Sequence, residues 1–272
     1  MRFVLGGTLA AMLLIGLAWC GRAAWRIRVR RGTARQRDVL LAGPEPTLQC
    51  RDDVAALANT FQRDQLITAN RVLAAESLAR LQQEANDNRT RIVRSFVPTH
   101  KQGGTVSYDN IHAHAQGCLA LYHSPAMQRW ISQIVGAEVK PAADHDQSAC
   151  SILYYTQPGD YINWHRDPNF YSGRQFTILL VLANEGGEAG LSSSALLRKH
   201  ADGREERIEL AENGLVLFEG PRVLHKVSPT SPGDTRIALS MTFNTDPRIS
   251  LFWELVRRVK DTAFYGWKVL WD

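Results

Sequence analysis

Three residues with metal-binding side chains stand out in the second half of the chain. His165 and Asp167 form an H-x-D in the segment Asn163-Trp164-His165-Arg166-Asp167-Pro168. On extended backbone, side chains alternate between faces, so these two point the same way and can converge on one ion. A third ligand must come from elsewhere. His225, in Val223-Leu224-His225-Lys226-Val227, is the candidate, 60 residues further on. Two imidazoles and one carboxylate on one face of an ion suit iron(II), and they leave three positions open for a bidentate co-substrate and O2. A bare H-x-D is weak evidence, and the distal histidine strengthens it. So does Arg236, in Asp234-Thr235-Arg236-Ile237-Ala238. A guanidinium there can take the far carboxylate of a dicarboxylic acid in a bidentate pair.

The remaining histidines offer no second constellation. His112 and His114 form an H-x-H, but in a helical context that spacing does not share a face. His100, His123, His145 and His200 have no visible partners. His165-Arg166-Asp167 also spells the protein-kinase catalytic-loop triplet, without the Gly-rich loop, D-F-G or downstream Asn that would support it. Cys20, Cys50, Cys118 and Cys150 form no C-x-x-C pair, so they read as reduced structural thiols.

The elements that must position the metal ligands begin at Ala149. Eight β-rich runs separated by turn residues follow: Cys150–Thr156, Tyr161–Trp164, Phe176–Ala183, Ala195–Arg198, Arg207–Leu210, Gly214–Phe218, Val223–Val227 and Thr235–Asn244. This cadence predicts a sandwich or jelly roll (a double-stranded β-helix) over 148–247. In such a fold an early and a late strand can line one mouth, as His165 and His225 require. Upstream, 51–147 reads as a helical support region. Leu66, Ala69, Leu73, Ala74, Leu78 and Leu81 recur at helical spacing, Gly103–Gly104 breaks the pattern, and Tyr108 to Ile134 predicts one or two more short helices. The fold class expected is therefore α+β. Residues 248–272 mix Trp253, Trp267 and Trp271 with Arg257, Arg258 and Lys260, predicting an amphipathic helix that lies on a membrane surface or packs on the jelly roll.

The chain's 272 residues carry a formal charge of +5, but its placement argues against a nucleic-acid face. Eight arginines lie in the first 37 residues; without them, 24 basic residues face 27 acidic ones. Phe3 to Cys20 is an uncharged apolar run, preceded by Arg2, followed closely by the other seven arginines, with Trp19 and Trp25 at its end. Residues 1–21 are expected to be a transmembrane anchor rather than a cleaved signal, with 22–50 a basic juxtamembrane linker and the catalytic domain on the cytoplasmic side.

Taken together, 148–247 resembles the 2-oxoglutarate- and Fe(II)-dependent dioxygenases, particularly their prolyl-4-hydroxylase-like branch. The motifs are Tyr155, Gly159 and Tyr161 leading into His165 and Asp167; Gly173-Arg174 with Thr177; the Asn184–Glu188 turn; and His225, Val227 and Pro229 followed by Arg236. The resemblance implies that the triad binds Fe(II), that Arg236 binds the C5 carboxylate of 2-oxoglutarate with help from Tyr155, and that Thr177 also contributes to co-substrate binding. It implies O2 as co-substrate, ascorbate as a supporting reductant, and oxidation of a C–H bond coupled to release of succinate and CO2. Related halogenases lack the carboxylate so that chloride can bind, so Asp167 points to hydroxylation. The chain departs from the pattern at Ala189 to Ser194, where Thr and an aromatic are usual, and that loop is expected at the substrate entrance. The substrate could be a lipid, a small molecule or a peptidyl residue. Two other classes stay open: a silent jelly-roll binding module, and a cupin-type metalloenzyme that does not use 2-oxoglutarate.

Overall fold

The computed structural model describes residues 45–142, 146–187 and 190–265. The expected membrane anchor, most of the basic linker (22–44), His145, Glu188, Ala189 and the last seven residues lie outside these. No helix among the described residues is long and apolar enough to cross a membrane.

Helices and short strands alternate first. They are α1 (Val54–Asp64), β1 (Leu66–Ala69), α2 (Ala75–Asp87), β2 (Val93–Val97), β3 (Lys101–Val106), α3 (Tyr108–His114), α4 (Gln116–His123), α5 (Pro125–Val135) and β4 (Lys140–Pro141). The sheet proper follows with β5 (Cys150–Tyr155), β6 (Tyr161–His165), β7 (Gln175–Glu185), β8 (Leu196–Lys199), β9 (Glu205–Ile208), β10 (Leu215–Glu219), β11 (Leu224–Val227) and β12 (Thr235–Asn244). Helix α6 (Leu251–Tyr265) ends the described chain. Each of the eight predicted β runs is a strand, within a few residues at its ends.

The region 51–147 is not purely helical, as the sequence pattern had suggested; it supplies four strands. Gln65 turns left-handed at φ 57° and ends α1, after which Leu66–Ala69 pairs with β10. The spacing that looked helical across 66–81 thus joins a strand to a helix. Gly103 and Gly104 do not break an element but sit inside β3. A Cβ on Gly104 would lie 2.6 Å from Ile92 Cγ2, so only glycine allows this approach.

All pairings in the sheet are antiparallel, in the order β1-β10-β7-β12-β5-β3-β6-β11-β8-β9. The sheet curls, and its two faces separate by alternation. Ile178, Leu180 and Leu182 on β7 and Ile237, Leu239, Met241 and Phe243 on β12 face outward into one core with the helices. Leu179, Val181, Tyr155, Val216 and Phe218 face inward with Val227 into a second cluster lining the curl.

Candidate metal centre and its cavity

His165 and His225 are direct register partners across the β6–β11 pair. The strand that carries the H-x-D is fixed at its start by the β5–β6 turn. There buried Asp160 accepts the backbone N–H groups of Thr156 and Gln157 and is gripped by Arg94. Asp167 lies just beyond β6, its own N–H bonded to the Gly220 carbonyl at 3.1 Å. Three strand ends therefore bring the two histidines and the aspartate together, with one ligand atom of each within 4.8 Å of the others.

The hydrogen bonds fix which atoms face the centre. His165 Nδ1 lies 2.8 Å from the Asn163 carbonyl and His225 Nδ1 3.1 Å from the Val223 carbonyl. A carbonyl can only accept, so each ring carries its proton on Nδ1 and turns the Nε2 lone pair inward. Those Nε2 atoms stand 3.5 and 3.8 Å from Asp167 Oδ1. The other carboxylate oxygen, Oδ2, accepts the Thr177 hydroxyl at 2.6 Å. Burial pushes His225 down to about 4, so it is a neutral ligand at ordinary pH. Burial alone would raise Asp167, but His225, His165 and the Thr177 hydroxyl hold it well below the usual carboxylate range. Two imidazoles with Nε2 turned inward and an ionised carboxylate fit a divalent iron.

A cavity of about 400 Å³ opens beside these ligands. Apolar side chains line much of it, including Leu153, Ile162, Leu179, Phe218 and Val227. Tyr155 lines it too, and burial raises its hydroxyl to about 12, so it stays a donor. Arg236 pairs in register with Tyr155, 5.6 Å from that ring, on the same face of β12 as the cavity-lining Ser240 and Thr242. It is 3% exposed, and burial lowers its pKa. No carboxylate among the described residues pairs with it. A buried, uncompensated guanidinium is costly unless an anion arrives. The structure thus brings together His165, Asp167, His225, Thr177 and Tyr155, with Arg236 behind the tyrosine. Thr177, expected at the co-substrate, has its hydroxyl proton on Asp167.

The loop expected at the substrate entrance lies elsewhere. Leu191, Ser192 and Ser194 line a small space with Asn184 and Arg236, and Ser192 is tied to Asn184 and Ser193 to Asp234. The open side of the main cavity instead carries α6, through Lys260, Phe264 and Tyr265, with His100 and Lys101.

Two features of the site had no local sequence signal. Gly220 is one: a Cβ there would lie 2.8 Å from Asp167 Cβ and 3.0 Å from Thr177 Oγ1. Lys101 is the other, a buried cation on β3.

Comparison with known proteins agrees with this geometry. Residues 150–244 match the family model described as 2OG-Fe(II) oxygenase superfamily, and residues 50–188, half of the chain, match the one described as Halogenase D. The chain belongs to the 2OG-Fe(II) oxygenase superfamily and, through the longer match, to the Halogenase D family. It is a 2-oxoglutarate-dependent dioxygenase, with Fe(II), 2-oxoglutarate and O2 as its cofactor set. No curated protein matches the sequence.

Solved structures share the fold at low identity. A Pseudomonas putida prolyl-4-hydroxylase is 20% identical at a TM-score of 0.55, over 72% of this chain and 100% of that one. A Trichoplax adhaerens prolyl hydroxylase, bound to a hypoxia-inducible-factor peptide fragment, is 18% identical at 0.56, over 71% and 89%. The carbocyclase SnoK of nogalamycin biosynthesis is 10% identical at 0.59, over 74% and 87%.

Proposed function

We propose that this chain hydroxylates a C–H bond of a substrate held in the cavity between the metal ligands and α6. One observation carries the reading: two Nδ1-protonated histidines and an ionised aspartate converge on one point beside a buried arginine that no carboxylate among the described residues pairs with. His165 Nε2, His225 Nε2 and Asp167 Oδ1 would hold Fe(II). Arg236 and the Tyr155 hydroxyl would take the far carboxylate of 2-oxoglutarate. The bound pair supplies oxidative decarboxylation coupled to attack on a C–H bond. The chain's own work is different. Thr177 and Gly220 fix the carboxylate rotamer, and the two backbone carbonyls fix the imidazole tautomers. Leu153, Leu179, Phe218 and Val227 keep bulk water from the reacting centre.

Halogenation is a second reading, favoured by the Halogenase D match. Asp167 opposes it, because its carboxylate fills the position a halide would need. The experiment is succinate release by the full chain with Fe(II), 2-oxoglutarate and ascorbate, in chloride and in chloride-free buffer. Asp167→Ala should abolish turnover in both; turnover surviving in that variant, or halogenated products from the wild type, would overturn the hydroxylase reading.

We also infer that the enzyme works at a membrane. Two features support this: the uncharged run Phe3–Cys20 with its trailing arginines, and the outer side of α6. The exposed positions of that helix are Leu251, Phe252, Trp253, Leu255, Val259 and Ala263, all apolar. Flotation with lipid vesicles is the test.

A further inference from the structure

Lys101 stands on the cavity face of β3, together with Gly103 and Thr105. It is 4% exposed. Its Nζ donates to Thr105 Oγ1 at 3.1 Å and lies 4.7 Å from the centre of the Phe264 ring of α6. Gly103, between the two, makes room for this path. A Cβ there would sit 3.9 Å from Lys101 Cε and 3.8 Å from Tyr155 Cε1, so the lysine stem and the tyrosine ring flank the same gap. An ammonium has three N–H donors, and the threonine takes one. No carboxylate among the described residues pairs with it. Its charged neighbours are repulsive: Lys260, on the same cavity wall, and Arg94. Lys260 differs, being matched by Asp261 at 3.0 Å and the Ser148 hydroxyl at 2.7 Å.

The cavity region thus contains two buried cations that no carboxylate among the described residues pairs with, Arg236 behind Tyr155 and Lys101 on the α6 side. 2-Oxoglutarate presents one carboxylate beyond the end that chelates the metal, and Arg236 suits it by the planar fork of its donors. That leaves the second cation with no ligand from the cofactor set. We propose that Lys101 binds a carboxylate carried by the substrate, and so places the substrate's aliphatic part between Phe264 and the metal ligands. The inference rests on the Fe(II)/2-oxoglutarate reading of the site. It makes the enzyme's substrate a small carboxylic acid, with Lys101 as the anchor that sets which carbon faces the iron.

The test uses the full chain in neutral detergent, loaded anaerobically with Fe(II) and labelled with 13C at the lysine ε carbons. Loss of one resonance in Lys101→Met assigns Lys101. 2-Oxoglutarate is titrated first, into wild type, Lys101→Met and Arg236→Met. Butyrate, hexanoate and octanoate are then titrated into the 2-oxoglutarate complex, with hexanamide as the uncharged match. The proposal expects Lys101→Met to bind 2-oxoglutarate within about threefold of wild type, which also shows that it folds, and Arg236→Met to bind at least about tenfold more weakly. It expects at least one of the three acids to shift the Lys101 resonance, hexanamide to leave it still, and Lys101→Met to lose that acid's binding by about a hundredfold. A tenfold loss of 2-oxoglutarate affinity in Lys101→Met would make Lys101 a co-substrate ligand and overturn the proposal. So would a Lys101 resonance unmoved by all three acids. Failure of wild type to bind 2-oxoglutarate at all would remove the underlying reading instead, and the proposal with it.

Discussion

At the scale of residues, the His165–Asp167 pair was legible because its spacing is local: extended backbone turns residues two apart to one side, and the pair converges although β6 ends at His165. The roles of Thr177 and Gly220 were not. They depend on β7 and the end of β10 meeting at Asp167, a cross-strand register that no local spacing encodes. Gly220 is therefore a sharp probe. Gly220→Ala places a methyl against Asp167 and Thr177, and the carboxylate must rotate or retreat. We expect metal affinity to fall by about 10- to 100-fold, read by calorimetric titration with Fe(II) or Mn(II), with the fold intact by circular dichroism. Lys101 gives a prediction in stability. Burial lowers it from 10.5 to about 8, so in the unliganded protein the charged form is penalised on folding. Below pH 8 both states hold the proton and the penalty is constant. Between 8 and 10.5 the unfolded chain binds more proton than the folded one, so wild-type stability rises with pH. Lys101→Met should therefore be more stable than wild type at pH 7, by up to about 3 kcal/mol. That gain should shrink as pH climbs toward 10.5, as denaturant unfolding at several pH values would show.

At the scale of elements, the strands were readable and the last helix was readable only in part. Amphipathic periodicity in 251–265 says that two faces differ, not which one turns inward. In α6 the polar side turns inward. Arg257 is almost wholly buried and meets Glu254 at 3.0 Å, with Asp261 and Asp146 also against it. Lys260 and Arg257 hold Asp146 below the usual carboxylate range despite its burial, and Tyr171 donates to it at 2.7 Å. The helix is thus docked by an ion network, and the same network forms one side of the cavity. Arg257→Met would leave Asp146 and Asp261 buried with only Lys260 to compensate. Loss of about 3 kcal/mol is expected from urea unfolding followed through Trp253, beginning with the release of α6. An unchanged midpoint would mean the network contributes little.

At the scale of the whole molecule, the jelly-roll class was legible in the eight β runs, whereas β1 to β4 were hidden. They are short, they borrow apolar residues from helix-like spacing, and Gly103–Gly104 looked like punctuation. β2 pairs locally with β3, but the partners of β1, β3 and β4 lie across the chain, on β10, β5, β6 and β12. The outward apolar side of α6 also belongs to this scale. Leu251 is 91% and Val259 61% exposed, a patch that soluble proteins rarely leave uncovered. The full chain should float with phosphatidylcholine–phosphatidylglycerol vesicles. Leu255→Glu with Val259→Glu should weaken flotation and leave the catalytic domain more accessible to added protease. Protease sensitivity identical in the two proteins would argue that α6 does not touch lipid.

The two histidines that face each other across β6 and β11 have one more effect. Their strands are joined by few register pairs, and a bulge interrupts them between His225 and Val227. A cation held there would act as a rivet through a thin seam of the curled sheet. Stripping it with a chelator would loosen the rim first, and amide protons of 161–167 and 224–227 would exchange with solvent while those of β7 and β12 stayed protected.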